Sequence, residues 1–370
     1  MSRKIRVALD ATYAAHPQRT GIGIYSEKLI EALARFLPDD ARSRYDFILA
    51  FRPGPYFRWT WKRSWPEPFV TSPLLDSWLT IPRATLFHGL NQRLPEKIYP
   101  LEVVTIHDRF PPPSEDYSSA AFRDLMRRRI EKAVPRAARI ITVSDAVRKQ
   151  LLLYDPGLEA KIRVVHLGVE PAQPATPEET RFFCEHTLRL QRGERYFLNV
   201  GVVQTRKNIL GIVQALKSLP GYRLVLTGGD GYGAEEIRDH IRREGLQDRV
   251  QSLGYVDRNV IRLLYSGAAA LVFPSFEETF GLPILEAMSY GLPVITSNVS
   301  AMPEVAGDAA ILVDPQRVSD IREAMRQVTE NEEAASALRQ KGLQHVRNFS
   351  WGVCAERTWN VYQEAWSEHP

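Results

Sequence analysis

The 370-residue chain has only two cysteines, Cys184 and Cys354, far apart and without companion histidines or cysteines at metal-ligand spacing. A disulfide framework and a structural zinc site are therefore not expected, and both thiols read as packing residues. Long hydrophobic runs are also missing. The longest, such as residues 268–274 and 282–285, fall far short of the ~20 residues that span a bilayer. The first nine residues are too short and too charged for a secretory signal, so the expected compartment is the cytosol. No short tandem repeat occurs, which excludes a solenoid, and no Asp-x-Asp pair is present to hold a divalent ion. What remains is 44% hydrophobic and 25% charged, ordinary values that exclude wholesale disorder, with length enough for two domains.

The net charge of +4 is unevenly placed: residues 1–170 hold 27 Lys and Arg against 19 Asp and Glu, net +8, and the remainder is net −4. The first half also contains RPGPYFRWTWKRSW, residues 52–65, which interleaves Arg52, Arg58, Lys62 and Arg63 with five aromatics. Pro53, Pro55 and the missing apolar periodicity predict a loop. Aromatic rings beside cations suit peripheral contact with an anionic membrane, and equally suit a loop folded over its own aromatics.

Short β-branched runs alternate with amphipathic stretches in both halves, the pattern of parallel sheets covered by helices on both faces. Strands are predicted over residues 6–10, 45–51, 85–88, 103–107, 140–143 and 162–165, with helices over 25–36, 120–134 and 145–153. The Pro-rich, polar stretch 170–180 reads as the interdomain connection. Strands then recur at 196–200, 223–227, 250–253, 269–273, 294–296 and 310–313. Helices are predicted near 208–217, 234–244, 259–265, 283–289 and 318–328, and from 332 onward with a break near 349–351. The fold class is thus α/β, two doubly wound domains over 1–170 and 171–350 plus a terminal helix over 351–370. A ligand would sit in a cleft between the carboxyl edges of the two sheets.

The chemistry concentrates in FPSFEETFGLPILEAMSYGLPVI, residues 273–295. A buried strand ends at Phe273, and Pro283 pre-sets the backbone of a short helix that stops before Gly291. The unpaired N–H groups of Gly281, Leu282 and the next turn make an anion site. Glu278 and Glu286, eight positions apart, can face one ligand from different heights. Carboxylates beside an anion site are tolerable if they address neutral hydroxyls, in which sugars are rich.

These residues resemble a known family. Glu278 and Glu286 within E-x-x-G-L-P-x-x-E-A-M match the E-x7-E signature of retaining glycosyltransferases of family 4, whose architecture is termed GT-B. The resemblance extends in family order to Gly21 and Gly23 in TGIGIY, His107-Asp108, Val143-Ser144, Gly201 followed by Arg206-Lys207-Asn208, Gly228-Gly229, and Gly254-Tyr255-Val256. It implies two Rossmann-like domains, the first binding the acceptor and the second a nucleotide-sugar. Glu286 is implied to accept the ribose hydroxyls, and Glu278, favoured over Glu277 by its spacing, to lie near the sugar hydroxyls with backbone from Phe280, Gly281 and Leu282. Arg206 and Lys207 are implied to neutralise the leaving diphosphate, approached also by the backbone of Gly21, Gly23 and Gly201. His107 is implied to donate to the reacting sugar or stabilise developing charge, and Tyr255 and Val256 to line the base pocket. Asp108 beside His107 reads as a hydrogen-bond partner or an acceptor contact, and His16, by its position near the glycine segment, as facing the acceptor. The terminal helix is implied to cross back to the first domain.

The resemblance implies transfer of a hexose, with retention and without a required metal or other cofactor, from a nucleotide-diphosphate donor to a hydroxyl of a glycan or lipid-linked glycan. The opening DATYAAHPQRTGIGIY is similar to bacterial mannosyltransferases of surface polysaccharide synthesis, which favours mannose, although GDP-mannose and a UDP-hexose both remain open as donors. Two other readings stay in view: a GT-B epimerase or phosphorylase, and a non-enzymatic binder of anionic ligands. The second gives no purpose to Glu278 and Glu286 beside an anion site. Nucleic acid is not an expected partner.

Overall fold

The computed structural model describes residues 4–17, 21–59, 64–76, 80–108 and 117–368. The chain divides into two compact units: Met1–Pro112 with Ala120–Gly168 and Phe349–Pro370, and Val169–Asn348 with Pro113–Ser119. The domain limits expected at 170 and 350 differ from these by two residues.

The first unit is built on β1 (Ile5–Asp10), β2 (Tyr45–Phe51), β3 (Phe69–Pro73), β6 (Leu86–Gly89), β7 (Leu101–Ile106), β8 (Arg139–Thr142) and β9 (Ile162–Val164), with a small antiparallel pair, β4 (Leu75–Asp76) and β5 (Thr80–Ile81). The seven strands run parallel in the order β3-β2-β1-β6-β7-β8-β9. All six residues of β7 are buried, as expected of a strand covered on both faces. Its helices are α1 (Gly21–Phe36), α2 (Asp39–Arg44), α3 (Pro53–Trp59), α4 (Ala120–Ala133), α5 (Asp145–Tyr154) and the terminal α14 (Trp351–Ser367). Ser144 caps α5 by accepting from the Val147 N–H at 3.2 Å. Helix α14 buries Trp351, Cys354, Trp359 and Tyr362; the Trp359 ring meets Tyr45 edge-on at 5.1 Å.

The second unit has a parallel sheet ordered β12-β11-β10-β13-β14-β15, formed by β10 (Arg195–Val200), β11 (Tyr222–Thr227), β12 (Val250–Ser252), β13 (Leu271–Phe273), β14 (Val294–Ser297) and β15 (Ile311–Val313). Its helices are α6 (Pro177–His186), α7 (Ile209–Leu216), α8 (Ala234–Arg243), α9 (Arg258–Gly267), α10 (Leu282–Ser289), α11 (Met302–Ala306), α12 (Val318–Glu330) and α13 (Glu332–His345). The order reverses between β10 and β13, so the loops leaving those two strands share one sheet edge, where open α/β sheets bind ligands.

Three expectations are corrected. The stretch 52–65 is not all loop: α3 starts at Pro53, because prolines in a first helical turn give up N–H groups that have no intrahelical partner. Tyr56 and Trp65 lie 6.4 and 5.1 Å from the Phe51 ring, folded over the unit's own core, while residues 60–63 lie outside the described residues. The expected connection 170–180 is shorter, since Thr176 and Glu179 form a reciprocal capping box that opens α6 at Pro177. The helix expected over 25–36 starts earlier, at Gly21, so Gly21 and Gly23 stand in the first turn of α1, whose leading N–H groups have no intrahelical acceptor. Among the described residues no helix is long and apolar enough to cross a membrane.

Candidate active site

In the second unit, β10 delivers the chain to Gly201, whose φ of 128° is open to glycine, and the following loop makes a 3₁₀ turn at Thr205–Lys207. Asn208 then adopts a left-handed conformation, φ 54°, and its Oδ1 accepts from the Gly211 N–H to cap α7. Its amide nitrogen donates to the Pro315 carbonyl beyond β15 at 2.7 Å and to the Pro274 carbonyl at 3.2 Å, the latter pinning this loop to the one that leaves β13. The two loops meet again where the Phe276 N–H donates to the Arg206 carbonyl at 2.9 Å and the Arg206 guanidinium donates to the Glu277 carbonyl. This lacing places the Lys207 ammonium 2.6 Å from Oε1 of Glu278 and Nη1 of Arg206 3.0 Å from Oε2.

The cluster is nearly dry: the side chains of Lys207, Glu278 and Arg206 are 8%, 9% and 23% exposed. Burial alone would raise the Glu278 pKa, but Lys207 and Arg206 outweigh it and hold the group at about 2. Burial pushes the Lys207 ammonium down, against the pull of Glu278. Lys207 also lies 4.3 Å from the centroid of the Phe273 ring. Within the trio itself two cations face one carboxylate, while Glu277, also buried, adjoins it in the chain. A carboxylate so acidic is a poor proton acceptor and a good hydrogen-bond acceptor for hydroxyls.

Around this cluster the sheet edge is lined by backbone. The Gly228 N–H donates to the Gly254 carbonyl at 2.7 Å, and a Cβ on Gly228 would stand 2.2 Å from the Gly201 oxygen. Tyr255, largely exposed, and half-buried Val256 follow Gly254 at the end of β12. Gly281, φ 109°, enters α10; in its first turn Pro283 has no N–H and the Ile284 N–H donates back to the Gly281 carbonyl at 3.0 Å, so the Leu282 N–H is the one left without an intrahelical acceptor. Phe280 is buried beside it. Within the preceding loop the Glu278 N–H donates to the Ser300 hydroxyl at 3.3 Å, which in turn donates to the Glu278 carbonyl. On α10, Glu286 accepts from the Tyr265 hydroxyl at 2.7 Å; burial raises its pKa, and the Tyr265 bond opposes that.

The first unit carries His107 and Asp108 just beyond β7. His107 is buried, and its Nε2 bonds the Leu90 carbonyl at 2.9 Å. A carbonyl only accepts, so Nε2 bears the proton and Nδ1 the lone pair. The Nε2 hydrogen is thus spent on Leu90, which leaves Nδ1 as the ring atom open to a further partner. Burial lowers its pKa. The backbone N–H groups of His107 and Asp108 donate to Oε1 of Gln92 at 3.0 and 3.3 Å, and the Gln92 amide donates to the Asp108 carboxylate. Gln92, at φ 32°, is fully buried. Tyr25 packs edge-on against His107 at 4.6 Å. His16 is exposed in the turns after β1. Gly23 is buried, whereas a Cβ on Gly21 would meet nothing within 4 Å, so the chain's own packing does not demand glycine there.

The structure brings Arg206, Lys207 and Glu278 into contact, with Gly201 against the Lys207 side chain, and joins His107 to Asp108 through Gln92. Glu286 belongs to a separate hydrogen bond with Tyr265. Sequence reasoning missed Gln92, Ser300 and Tyr265. Their partners stand 15 to 22 positions away, so no local periodicity could have flagged them.

A profile described as "Glycosyl transferases group 1" matches residues 185–345, and one described as "Glycosyltransferase Family 4" matches residues 21–173. The chain is 31% identical over 284 residues to the O-antigen chain mannosyltransferase B of Escherichia coli, spanning 75% of this chain and 74% of that protein. Among solved structures, sucrose-phosphate synthase from Thermosynechococcus elongatus superposes with a TM-score of 0.75 at 22% identity, over 99% of this chain and 100% of that one. The Anabaena protein HepE, solved in complex with UDP and glucose, gives 0.74 at 16% identity, over 98% of this chain and 100% of that one.

Proposed function

The chain belongs to the group 1, family 4 glycosyltransferases and has the GT-B fold, and on that premise we propose that it is a retaining hexosyltransferase acting on a nucleotide-sugar, with mannose as the transferred sugar. The observation that carries the proposal is the three-membered cluster of Arg206, Lys207 and Glu278 at the carboxyl edge of the second sheet.

In this reading the donor's diphosphate meets the two cations of the cluster, beside the Leu282 N–H that opens α10. Arg206 and Lys207 oppose the negative charge that grows on the leaving phosphate oxygen, a contribution that preorganised charges make with little reorganisation. Their fixed charge supplies what a divalent ion supplies elsewhere, and the reading is metal-independent. Glu278, held ionised, accepts from hydroxyls of the transferred sugar. Glu286 takes the ribose hydroxyls, Tyr255 and Val256 line the base, and His107 addresses the reacting sugar through its Nδ1 lone pair. The bond from the anomeric carbon to the phosphate oxygen breaks as the acceptor oxygen bonds to the same face. The acceptor proton passes to the departing phosphate, so no enzyme nucleophile is needed. That Glu278 is held between two cations with a pKa near 2 supports its exclusion as base.

Support for mannose comes from the Escherichia coli relative, and for a nucleotide donor from HepE. The acceptor we propose is a lipid-linked glycan met at the inner face of a membrane, with residues 52–65 in peripheral contact with anionic lipid through their cations, since Tyr56 and Trp65 pack on Phe51. A thermal-shift screen against GDP-mannose, UDP-hexoses and ADP-glucose tests the donor, because a ligand that binds the folded form raises its melting temperature. Product analysis by NMR then reads the anomeric configuration with and without acceptor. Stabilisation by none of these donors overturns the proposal, and turnover without acceptor favours an epimerase. Failure to sediment with anionic vesicles at low salt removes the membrane contact.

A further inference from the structure

Tyr265 is almost fully buried on α9, 3% exposed, and its hydroxyl donates to Oε2 of Glu286 on α10 at 2.7 Å. Its ring stacks on Tyr290, which closes α10, with centroids 5.3 Å apart and planes 18° from parallel. The ring thus has a fixed place between two helices, and the hydroxyl has one acceptor of opposite character. Burial raises the Tyr265 phenol well above its ordinary range, so it stays a donor at all working pH. The groups that face Glu286 are this phenol and, across the stack, Tyr290; Arg262, on the same helix as Tyr265, acts on Tyr290 and is itself held by both oxygens of Glu179.

A glutamate side chain has three rotatable bonds and, unrestrained, samples many carboxylate orientations. The vicinal hydroxyls of a ribose offer two donors at fixed separation, and an acceptor pair matches them best when its plane is set beforehand. We propose that Tyr265 is the positioning residue of the ribose grip: it fixes the Glu286 carboxylate through Oε2 so that the remaining lone pairs meet the ribose diol of the donor nucleotide. The inference rests on the reading of Glu286 as the ribose ligand and adds to it a residue outside the family signature, reached through the fold alone.

The test uses isothermal titration of the full chain with GDP and UDP, and with their 2′,3′-dideoxy counterparts. Tyr265→Phe retains the ring on Tyr290 and deletes only the hydroxyl. The expected result is a loss of about 10- to 100-fold in affinity for the ribonucleotide, the scale of one hydrogen bond to a charged group, with the dideoxy nucleotide changed less than twofold. Glu286→Gln should weaken the ribonucleotide likewise. An equal loss for both nucleotides makes Tyr265 a structural residue only, and wild-type affinity for both means that it sets nothing; either overturns the inference. Wild-type binding of the ribonucleotide by Glu286→Gln, or no binding of GDP or UDP by the wild-type chain, instead overturns the donor-site reading and the inference with it. Should Tyr265→Phe not fold, 3-fluorotyrosine at 265 keeps the packing and alters the hydroxyl donor. A change confined to the ribonucleotides is then expected, and no selective change overturns the inference.

Discussion

The Lys207 ammonium lies 2.6 Å from Glu278 in surroundings where both side chains are under a tenth exposed. Removing one member of such a pair leaves the other's charge buried, so Glu278→Gln is expected to destabilise the second unit by about 3–5 kcal/mol. Glu278 titrates below its ordinary value, so its stabilisation is complete above about pH 4.5 and is lost as pH falls towards 2. Urea unfolding at pH 7 and pH 3 should show the difference between wild type and Glu278→Gln shrinking at the lower pH. A constant difference removes the ion pair as its source.

Arg206 is the more exposed cation and shares Glu278 with Lys207. Arg206→Ala is therefore expected to leave the fold largely intact, at a cost of about 1 kcal/mol or less in stability. If it opposes charge on the leaving group, kcat should fall by about two to three orders of magnitude, with a smaller change in KM. Full turnover by this variant ends its assignment to the chemistry. Arg206→Lys should recover only part of the rate, because an ammonium does not reproduce the planar fork of a guanidinium.

Much of this was legible in the sequence because its signals are local. The runs at 45–51 and 222–227 are strands because β-branched and apolar side chains fit a sheet buried on both faces, and Glu278 and Glu286 are eight apart because one loop and one helix turn separate them. The edge strand β3 was not legible: FVTSP is short, its Val70 is exposed, and it ends in proline. Helix α3 was hidden by prolines that a first turn accepts. Gln92 was invisible for a different reason. Its role is to satisfy the N–H groups of His107 and Asp108 from another loop, a relation made by sheet order between β6 and β7 rather than by spacing.

His88 is fully buried, between the hydroxyls of Tyr362 at 2.7 Å and Thr105 at 2.8 Å, with Tyr25 bonded to the same Thr105 hydroxyl at 3.0 Å. Burial and the neighbouring His107 lower its pKa to about 3, against about 6.5 in the unfolded chain. Between these values the unfolded state binds the extra proton, so stability is full above pH 6.5 and declines on acidification, by up to about 1.4 kcal/mol per pH unit for this group. His88→Gln should flatten that slope by about one proton, measured from urea midpoints between pH 4 and 7. An unchanged slope means that His88 is not neutral in the folded protein.

Gly228 and Gly201 share an unusual backbone, φ 127° and 128°, but differ in what an added methyl group meets. At 201 the nearest atoms are the end of the flexible Lys207 side chain at 3.4 Å, whereas at 228 the Gly201 carbonyl oxygen stands at 2.2 Å and the Val202 nitrogen at 3.0 Å. Both alanine variants bear conformational strain of about 1–3 kcal/mol, and Gly228→Ala must in addition push the backbone that precedes the Arg206-Lys207 turn. The expected order is a larger fall in melting temperature for Gly228→Ala than for Gly201→Ala, with nucleotide affinity lost mainly in the former. Because that displacement acts through main chain rather than charge, raising the salt concentration should not restore binding. Equal melting temperatures for the two variants would show that the loop leaving β10 yields freely, and that the close approach of the two glycines does not set the position of Lys207.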